Sequence, residues 1–316
     1  MMKICFMFSG QGSQYDGMGK ELYENFEVCK NIFDKSSEIL GLDMTEICFG
    51  GSDKLNQTEF TQPAILTLGY AIFKLMEENN IKADYMAGLS LGEYTALCAG
   101  GVLDFEEAVS LVRKRGKFMT EAVPTGEGAM TAIMNVEESV IQEVLEEASI
   151  RSDELTEVVT IANYNTASQM VIAGHTKAVE RAEAIFKERG LKKFMRLKVS
   201  GPFHTELLKP ASDKLKLELE NISINNMNMP IYTNLTGCQI KDTPEDIKDT
   251  LVKQVMSPVR WEQTIKNLVD EGVDTFIELG CGKTLMMFAK KISPDVEVYS
   301  VENLTSLEVV LDKIKK

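Results

Sequence analysis

The sequence predicts an α/β protein built on a mostly parallel sheet. Three observations carry this. Short β-rich runs alternate with stretches of helical spacing along most of the chain. The run "YMAGLS" leads straight into the helical "GEYTALCAGG", a strand-to-helix passage at a tight turn. Between Gly128 and Val199 the order becomes β-α-β-β-α-β, the ferredoxin-like split unit. A chain of 316 residues has ample core for one large domain or two modest ones.

The elements follow in order. "KICFMFSG" (3–10) is an apolar, β-rich run and the first strand. The loop "GQGSQYDGMG" precedes a helix near 19–39. Residues 61–79 carry apolar side chains at helical spacing, with Pro63 expected in the first turn. The helix after Ser90 stops at Gly100-Gly101, and 104–123 forms another, basic in its middle. Within the split unit, "AMTAIMN", "EVVTIANY", "SQMVIAGH" and "KKFMRLKV" are strands. A turn is expected at Asn165–Ser168. "EESVIQEVLEEAS" and "KAVERAEAIFKERG" are its helices. Alternation then resumes: helix near 206–220, strand 230–235, helices 244–256 and 261–271, strand 274–280, helix 283–291. The expected division is 1–127 with 200–316 as the large part, and 128–199 as a small inserted part.

Composition narrows the function classes. A net charge of −14 disfavours approach to nucleic acid or an anionic bilayer, so neither is an expected partner. Six cysteines (Cys5, Cys29, Cys48, Cys98, Cys238, Cys281) stand singly, without CxxC or a Cys/His ligand set. They are expected to be reduced, buried thiols of a cytoplasmic protein, and no metal is expected. The N-terminal apolar run is too short for a secretion signal, and no stretch approaches a membrane span.

Three Gly-rich loops fail as nucleotide motifs. "GQGSQYDG" has Tyr15 where the third Gly of a dinucleotide fingerprint must pack helix against strand. "GCGKT" has Ile277 in place of the leading P-loop Gly. "GEGAM" has Thr131 at its third Gly position.

"AGLSLGEY" is different, because Gly88-x-Ser90-x-Gly92 has an apolar strand before it and a helix after. That is a nucleophile elbow: a sharp turn exposes the Ser hydroxyl at the sheet edge. It aims the Leu91 N–H and the helix N-terminus at the same point. The other reading is an ordinary βα turn. A serine nucleophile needs a base, and the chain has two histidines. His175 ends a strand inside the split unit, where a surface position is the simpler reading. His204, in "KVSGPFHTELLKP", sits on a loop between a strand and a helix, where α/β sheets present catalytic groups. His204 is therefore the preferred base.

Six motifs, "GQGSQ", "GLSLGEY", "RGKFMTEAVP", "NYNTASQMVIAGH", "SGPFH" and "ELGCGKTL", occur here in an order and spacing that resembles the malonyl-CoA:acyl-carrier-protein transacylases. The resemblance covers essentially the whole chain. It implies an α/β-hydrolase-like large subdomain with a mostly parallel sheet and an inserted ferredoxin-like small subdomain. It implies Ser90 as the acyl-carrying nucleophile, His204 as its base, and Gln11 and Leu91 as oxyanion donors through their N–H groups. It implies Arg115 as the grip on the malonyl carboxylate, and Gln254 as the residue whose carbonyl orients the base. Asn163 and Asn165 match an asparagine pair near the site. Leu89 departs from the His that many members carry before the nucleophile. Phe203 is expected to narrow the pocket toward unbranched malonyl.

The implied partners are malonyl-CoA and acyl carrier protein. No resident cofactor is implied, since coenzyme A and phosphopantetheine arrive with the substrates. A basic cluster at Lys192, Lys193, Arg196 and Lys198 could steer an acidic carrier, or simply be a solvated strand edge. Without the family match, the simpler reading of Arg115 is a solvated helix charge beside Arg113, Lys114 and Lys117. Two alternatives stay open. One is a stand-alone acyltransferase serving a polyketide synthase. The other is a serine hydrolase or thioesterase, for which no acidic residue between Ser90 and His204 occupies a clear strand-end loop.

Overall fold

The computed structural model describes residues 2–153, 155–199 and 201–314. Its strands in chain order are β1 (Ile4–Phe8), β2 (Tyr85–Gly88), β3 (Gly128–Met134), β4 (Ile150–Arg151), β5 (Thr156–Glu157) and β6 (Val159–Thr166). They continue with β7 (Gln169–His175), β8 (Phe194–Arg196), β9 (Ile231–Tyr232), β10 (Thr275–Leu279) and β11 (Glu297–Val301).

The large sheet is fully parallel, in the order β11-β10-β1-β2-β9. β1 is central, and "ICFMF" is buried at every position because helices cover both faces. On one face lies helix Thr58–Glu78, where Phe73 meets Phe6 and Phe8 edge-on at 6.5 Å. On the other, Trp261, Ile265 and Leu268 pack with Cys5, Met7 and Ala87. From β1 the chain lays β2 to one side and later β10 to the other. A crevice opens at such a switch point, at the carboxyl ends of the strands.

The second sheet, β6-β7-β3-β8, is antiparallel and drawn wholly from the β-α-β-β-α-β segment, as expected. Strand alternation gives it two jobs. Ala129 and Ile133 join Ile172 and Phe186 in a core under helices Glu138–Ala148 and Thr176–Glu188. Met130, Ala132, Val171 and Ala173 face the other way and join the main core. Among the described residues, no helix is long and apolar enough to cross a membrane.

Several expectations needed correction. The helix at 19–39 is two, Lys20–Asn25 and Glu27–Leu40, because Phe26 is extended at φ −129°. The bend lets Tyr23 meet both Phe33 and Phe49, at 5.8 and 5.6 Å. Pro63 is the sixth residue of its helix, not in the first turn, and the Thr67 hydroxyl bonds to its carbonyl. The strand expected at 230–235 pairs only at Ile231–Tyr232, because Thr233 and Asn234 turn their polar groups to the site described below. Asn165 lies within β6, so the hairpin turn is confined to Ala167 and Ser168. The short hairpin β4–β5, helix Met44–Phe49, strand β11 and helix Leu304–Ile314 were not anticipated. All six cysteines are free, but Cys238 is exposed rather than buried.

Backbone proximity dictates both glycines of the elbow. A Cβ on Gly92 would stand 2.0 Å from the Phe8 carbonyl oxygen, and one on Gly88 2.0 Å from Gly92. Gly92→Ala is expected to destabilise by roughly 3 kcal/mol through overpacking. Gly51→Ala, at a positive φ in open space, should cost only about 1 kcal/mol. Urea denaturation midpoints of the two variants check the difference.

Candidate active site

Ser90 follows β2 and precedes helix Leu91–Ala99. Its backbone is strained, at φ 54° and ψ −99°. The conformation persists because the surroundings over-determine it. Its N–H donates to Asn234 Oδ1 at 2.5 Å, while Asn234 Nδ2 donates to the Gly88 carbonyl at 2.7 Å. One side chain thus clamps the turn from both ends.

The Ser90 hydroxyl points at His204 Nε2, 2.8 Å away. His204 also has a positive φ, 61°, on the loop before the short turn Glu206–Leu208. Its Nδ1 lies 3.0 Å from the Gln254 carbonyl. A carbonyl only accepts, so Nδ1 carries the proton and Nε2 is free to accept from Ser90. Gln254 is the last residue of helix Pro244–Gln254. The negative end of that helix dipole therefore faces the imidazole ring, where it favours added positive charge. Burial and the neighbouring Arg115 charge hold the imidazole down at about 4, so it is neutral at pH 7 and its Nε2 lone pair is unprotonated.

Arg115, on helix Phe105–Glu121, is only 1% exposed. It donates to Ser90 Oγ at 3.1 Å, to Gln62 Oε1 at 2.9 Å and to Gln254 Oε1 at 3.0 Å. Its guanidinium stacks over Tyr94 at 5.0 Å, and its Nε has no partner among the described residues. The neighbouring charges took the surface role: Arg113 pairs with Glu59 and Lys114 with Glu218.

Behind these groups lies Glu93, buried and accepting from Thr233 Oγ1, the Asn234 N–H and Gln254 Nε2 at 2.8 to 3.0 Å. The Gln254 amide sits between the two charges, accepting from Arg115 and donating to Glu93. It also donates to the Ser90 carbonyl at 3.0 Å. Burial pushes the Glu93 carboxyl above the usual carboxylate range, while its donors and Arg115 pull it back.

A cavity of about 440 Å³ opens over Ser90 and His204, between the strand ends of the large sheet and the face of the small one. Gln11 lines it, its side chain tied to Thr58 Oγ1 at 2.9 Å. Leu91 is the first residue of its helix, where backbone N–H groups lack helical partners. Phe203, Leu89, Asn163 and Asn165 all line the wall. Asn165 donates to Gln169 Oε1 at 2.9 Å.

The structure thus brings Ser90, His204, Arg115, Gln254, Gln11, Phe203, Asn163 and Asn165 to one place. His175 is elsewhere, accepting from the Val158 N–H at the end of β7. Of the basic cluster, Arg196 is taken up by Glu183 on the helix side of the small sheet, while Met195, Leu197 and Val199 face the cavity. Sequence reasoning missed Gln62, Glu93, Asn234 and Glu278. The signal for Glu278 was available: an acid inside "TFIEL", a strand otherwise apolar but for its first Thr and buried at every position.

The chain matches the acyl transferase domain family over residues 5–308. It is 42% identical to the malonyl CoA-acyl carrier protein transacylase of Bacillus subtilis, covering 100% of this chain and 98% of that one. The crystal structure of the enzyme of that name from Clostridium perfringens superposes with a TM-score of 0.93 at 45% identity, covering 99% and 97% of the two chains. A malonyl-transacylase solved with a type II polyketide acyl-carrier protein superposes equally well, at 0.93 and 37% identity over 98% and 99%. With an elbow serine and a buried histidine lining one cavity and a buried arginine against the serine hydroxyl, the chain belongs to the malonyl CoA-acyl carrier protein transacylases of the acyl transferase family.

Proposed function

We propose that the protein transfers a malonyl group from malonyl-CoA to the phosphopantetheine thiol of acyl carrier protein, supplying fatty-acid synthesis. The observation that carries this is Arg115, a buried cation 3.1 Å from the nucleophilic hydroxyl. A buried guanidinium with an unfilled donor beside a nucleophile is a carboxylate receptor, and malonyl is an acyl group that ends in one.

The cycle has two halves. Ser90 Oγ attacks the thioester carbonyl while His204 Nε2 takes its proton, an assistance worth about 10²–10⁴ in rate. The tetrahedral oxyanion forms between the Gln11 and Leu91 N–H groups. The C–S bond breaks, and His204 returns the proton to the coenzyme A sulfur. The carrier thiol then enters, gives its proton to His204 and attacks the Ser90 ester. Ser90 leaves with that proton, and the acyl group departs on the carrier. Arg115 would release Ser90 Oγ to pair with the substrate carboxylate. Phe203 would crowd a branched acyl group, and the asparagine pair Asn163 and Asn165 would face the incoming arm. No resident metal or cofactor enters these steps.

The same reading divides the chain into a catalytic part, 1–127 with 200–316, and a small part, 128–199, that roofs the cavity. On this reading the protein works in the cytoplasm. The solved malonyl-transacylase with a type II polyketide carrier supports a second reading, in which the carrier serves polyketide assembly.

Intact-mass measurement tests the cycle. Malonyl-CoA should leave a malonyl adduct on the wild type and none on Ser90→Ala. Holo carrier protein should remove the adduct and become malonylated; fatty-acid and polyketide carriers compared side by side separate the two pathways. Loss of the adduct to free malonate with or without carrier would instead identify a hydrolase. Arg115→Ala should lower kcat/KM for malonyl-CoA by about 10²–10³, a loss of several kcal/mol of charged pairing, and leave acetyl-CoA little affected.

The pH profile follows from His204. Its folded value of about 4 lies below the ordinary 6.5, so the neutral base survives into acid. Acylation should stay flat from pH 7 to about 5 and fall through about 4, and Arg115→Ala should move that limb upward. The unfolded chain takes up this proton first, so the histidine's contribution to stability is complete above 6.5 and declines as pH falls toward 4. Stopped-flow acylation and urea titrations at each pH read the two effects.

A further inference from the structure

Glu278 is a carboxyl that this cycle leaves unused. It is fully buried on β10, beside Met7 of β1, and it faces the cavity. Both its oxygens are engaged. Oε1 accepts from the Ser9 hydroxyl at 3.0 Å, and Oε2 from the Met286 N–H at 2.9 Å. Ser9 opens the turn that carries Gly10 and Gln11 past the nucleophile. Met286 is the third residue of helix Thr284–Ile292, whose own preceding residue, Lys283, gives no side-chain cap. Leu285, Met287 and Phe288 of that helix line the cavity. One carboxyl therefore ties the Gln11 turn to a helix that lines the cavity. The approach is close: a Cβ on Gly280 would stand 2.6 Å from Ser9 Oγ, so only Gly at 280 leaves the Ser9 hydroxyl in place.

We propose that Glu278 is a positioning residue for acyl transfer: through Ser9 it sets the Ser9–Gly10–Gln11 turn, and with it the Gln11 N–H that meets the oxyanion. This rests on the acyl-transfer reading above and names what holds one of its two oxyanion donors. Burial lifts Glu278 to about 7, so ionised and neutral forms are both accessible near neutral pH. The Ser9 hydroxyl can rotate to give or take a proton, which keeps the link in either form. Gln copies the neutral form, with its carbonyl toward Met286 and its amide toward Ser9.

Single-turnover acylation of Ser90 by malonyl-CoA, followed by quench-flow and intact mass, separates this from simple helix capping. Ser9→Ala cuts the link to the turn and leaves the cap on Met286 intact; Glu278→Ala removes both. The acylation rate constant should fall about 10-fold in Ser9→Ala and about 100-fold in Glu278→Ala, the scale of a misplaced oxyanion donor. KM for malonyl-CoA should stay within about twofold of wild type, because the lost interaction is made only in the transition state. Glu278→Gln should recover to within about fivefold of wild type. Wild-type acylation by Ser9→Ala, or losses confined to KM or to thermal stability, would overturn the proposal. Absence of any adduct on the wild type would instead remove the functional reading beneath it.

Discussion

Everything at the cavity depends on holding Ser90 in a backbone conformation it would not adopt alone. A non-glycine residue at φ 54° and ψ −99° stores on the order of 1–3 kcal/mol. Asn234 offsets this with two hydrogen bonds, each worth about 1 kcal/mol net. Gly88 and Gly92 make the turn sterically possible, since side chains at either would collide with backbone. If the turn relaxed, the hydroxyl would leave both His204 and Arg115 together, because both are aimed at that single oxygen.

The electrostatics behind the turn show a buried histidine held without an acid on its Nδ1. Its orienting partner is a helix-terminal carbonyl, whose partial negative charge lies on the Nδ1 side. The network does contain a carboxyl, but it is Glu93, set behind the Gln254 amide rather than on the ring. There it balances Arg115 rather than the ring, and it leaves the imidazole at about 4. A carboxylate directly on Nδ1 would favour the imidazolium and leave less free base. The same Gln254 thus holds the His204 ring through its backbone and separates Arg115 from Glu93 through its side chain.

Much of this was legible along the chain. The elbow is local: strand, tight turn, helix, with small residues at the positions where backbones meet. The ferredoxin-like unit is local too, since its helices and strands alternate within seventy-odd residues, and its sheet order came out as the motif requires. The family resemblance marked Ser90, His204, Arg115, Gln11 and Gln254 because each lies in or beside a short motif, Gln254 in "VKQVMSP". Glu93, Asn234 and Gln62 stayed hidden for one shared reason. Their partners are 53 to 161 residues away, and a buried Glu or Asn reads in sequence as a surface residue. The end of β9 was misjudged on the same account: Thr233 and Asn234 have strand-compatible sequence but are taken from the ladder by Glu93.

By itself the sequence determined the periodicities, the turn chemistry and the kinds of reactive group. Those depend on neighbours a few positions apart, and so on covalent geometry and local sterics. Only the tertiary structure decided which basic residue of helix Phe105–Glu121 would be buried against the nucleophile and which would meet solvent. Four cations stand within five positions there, and helix phase relative to the core selects Arg115 alone. Only the tertiary structure, too, placed Glu278 against Ser9 across 269 residues, because adjacency in a parallel sheet is set by strand order and not by distance along the chain.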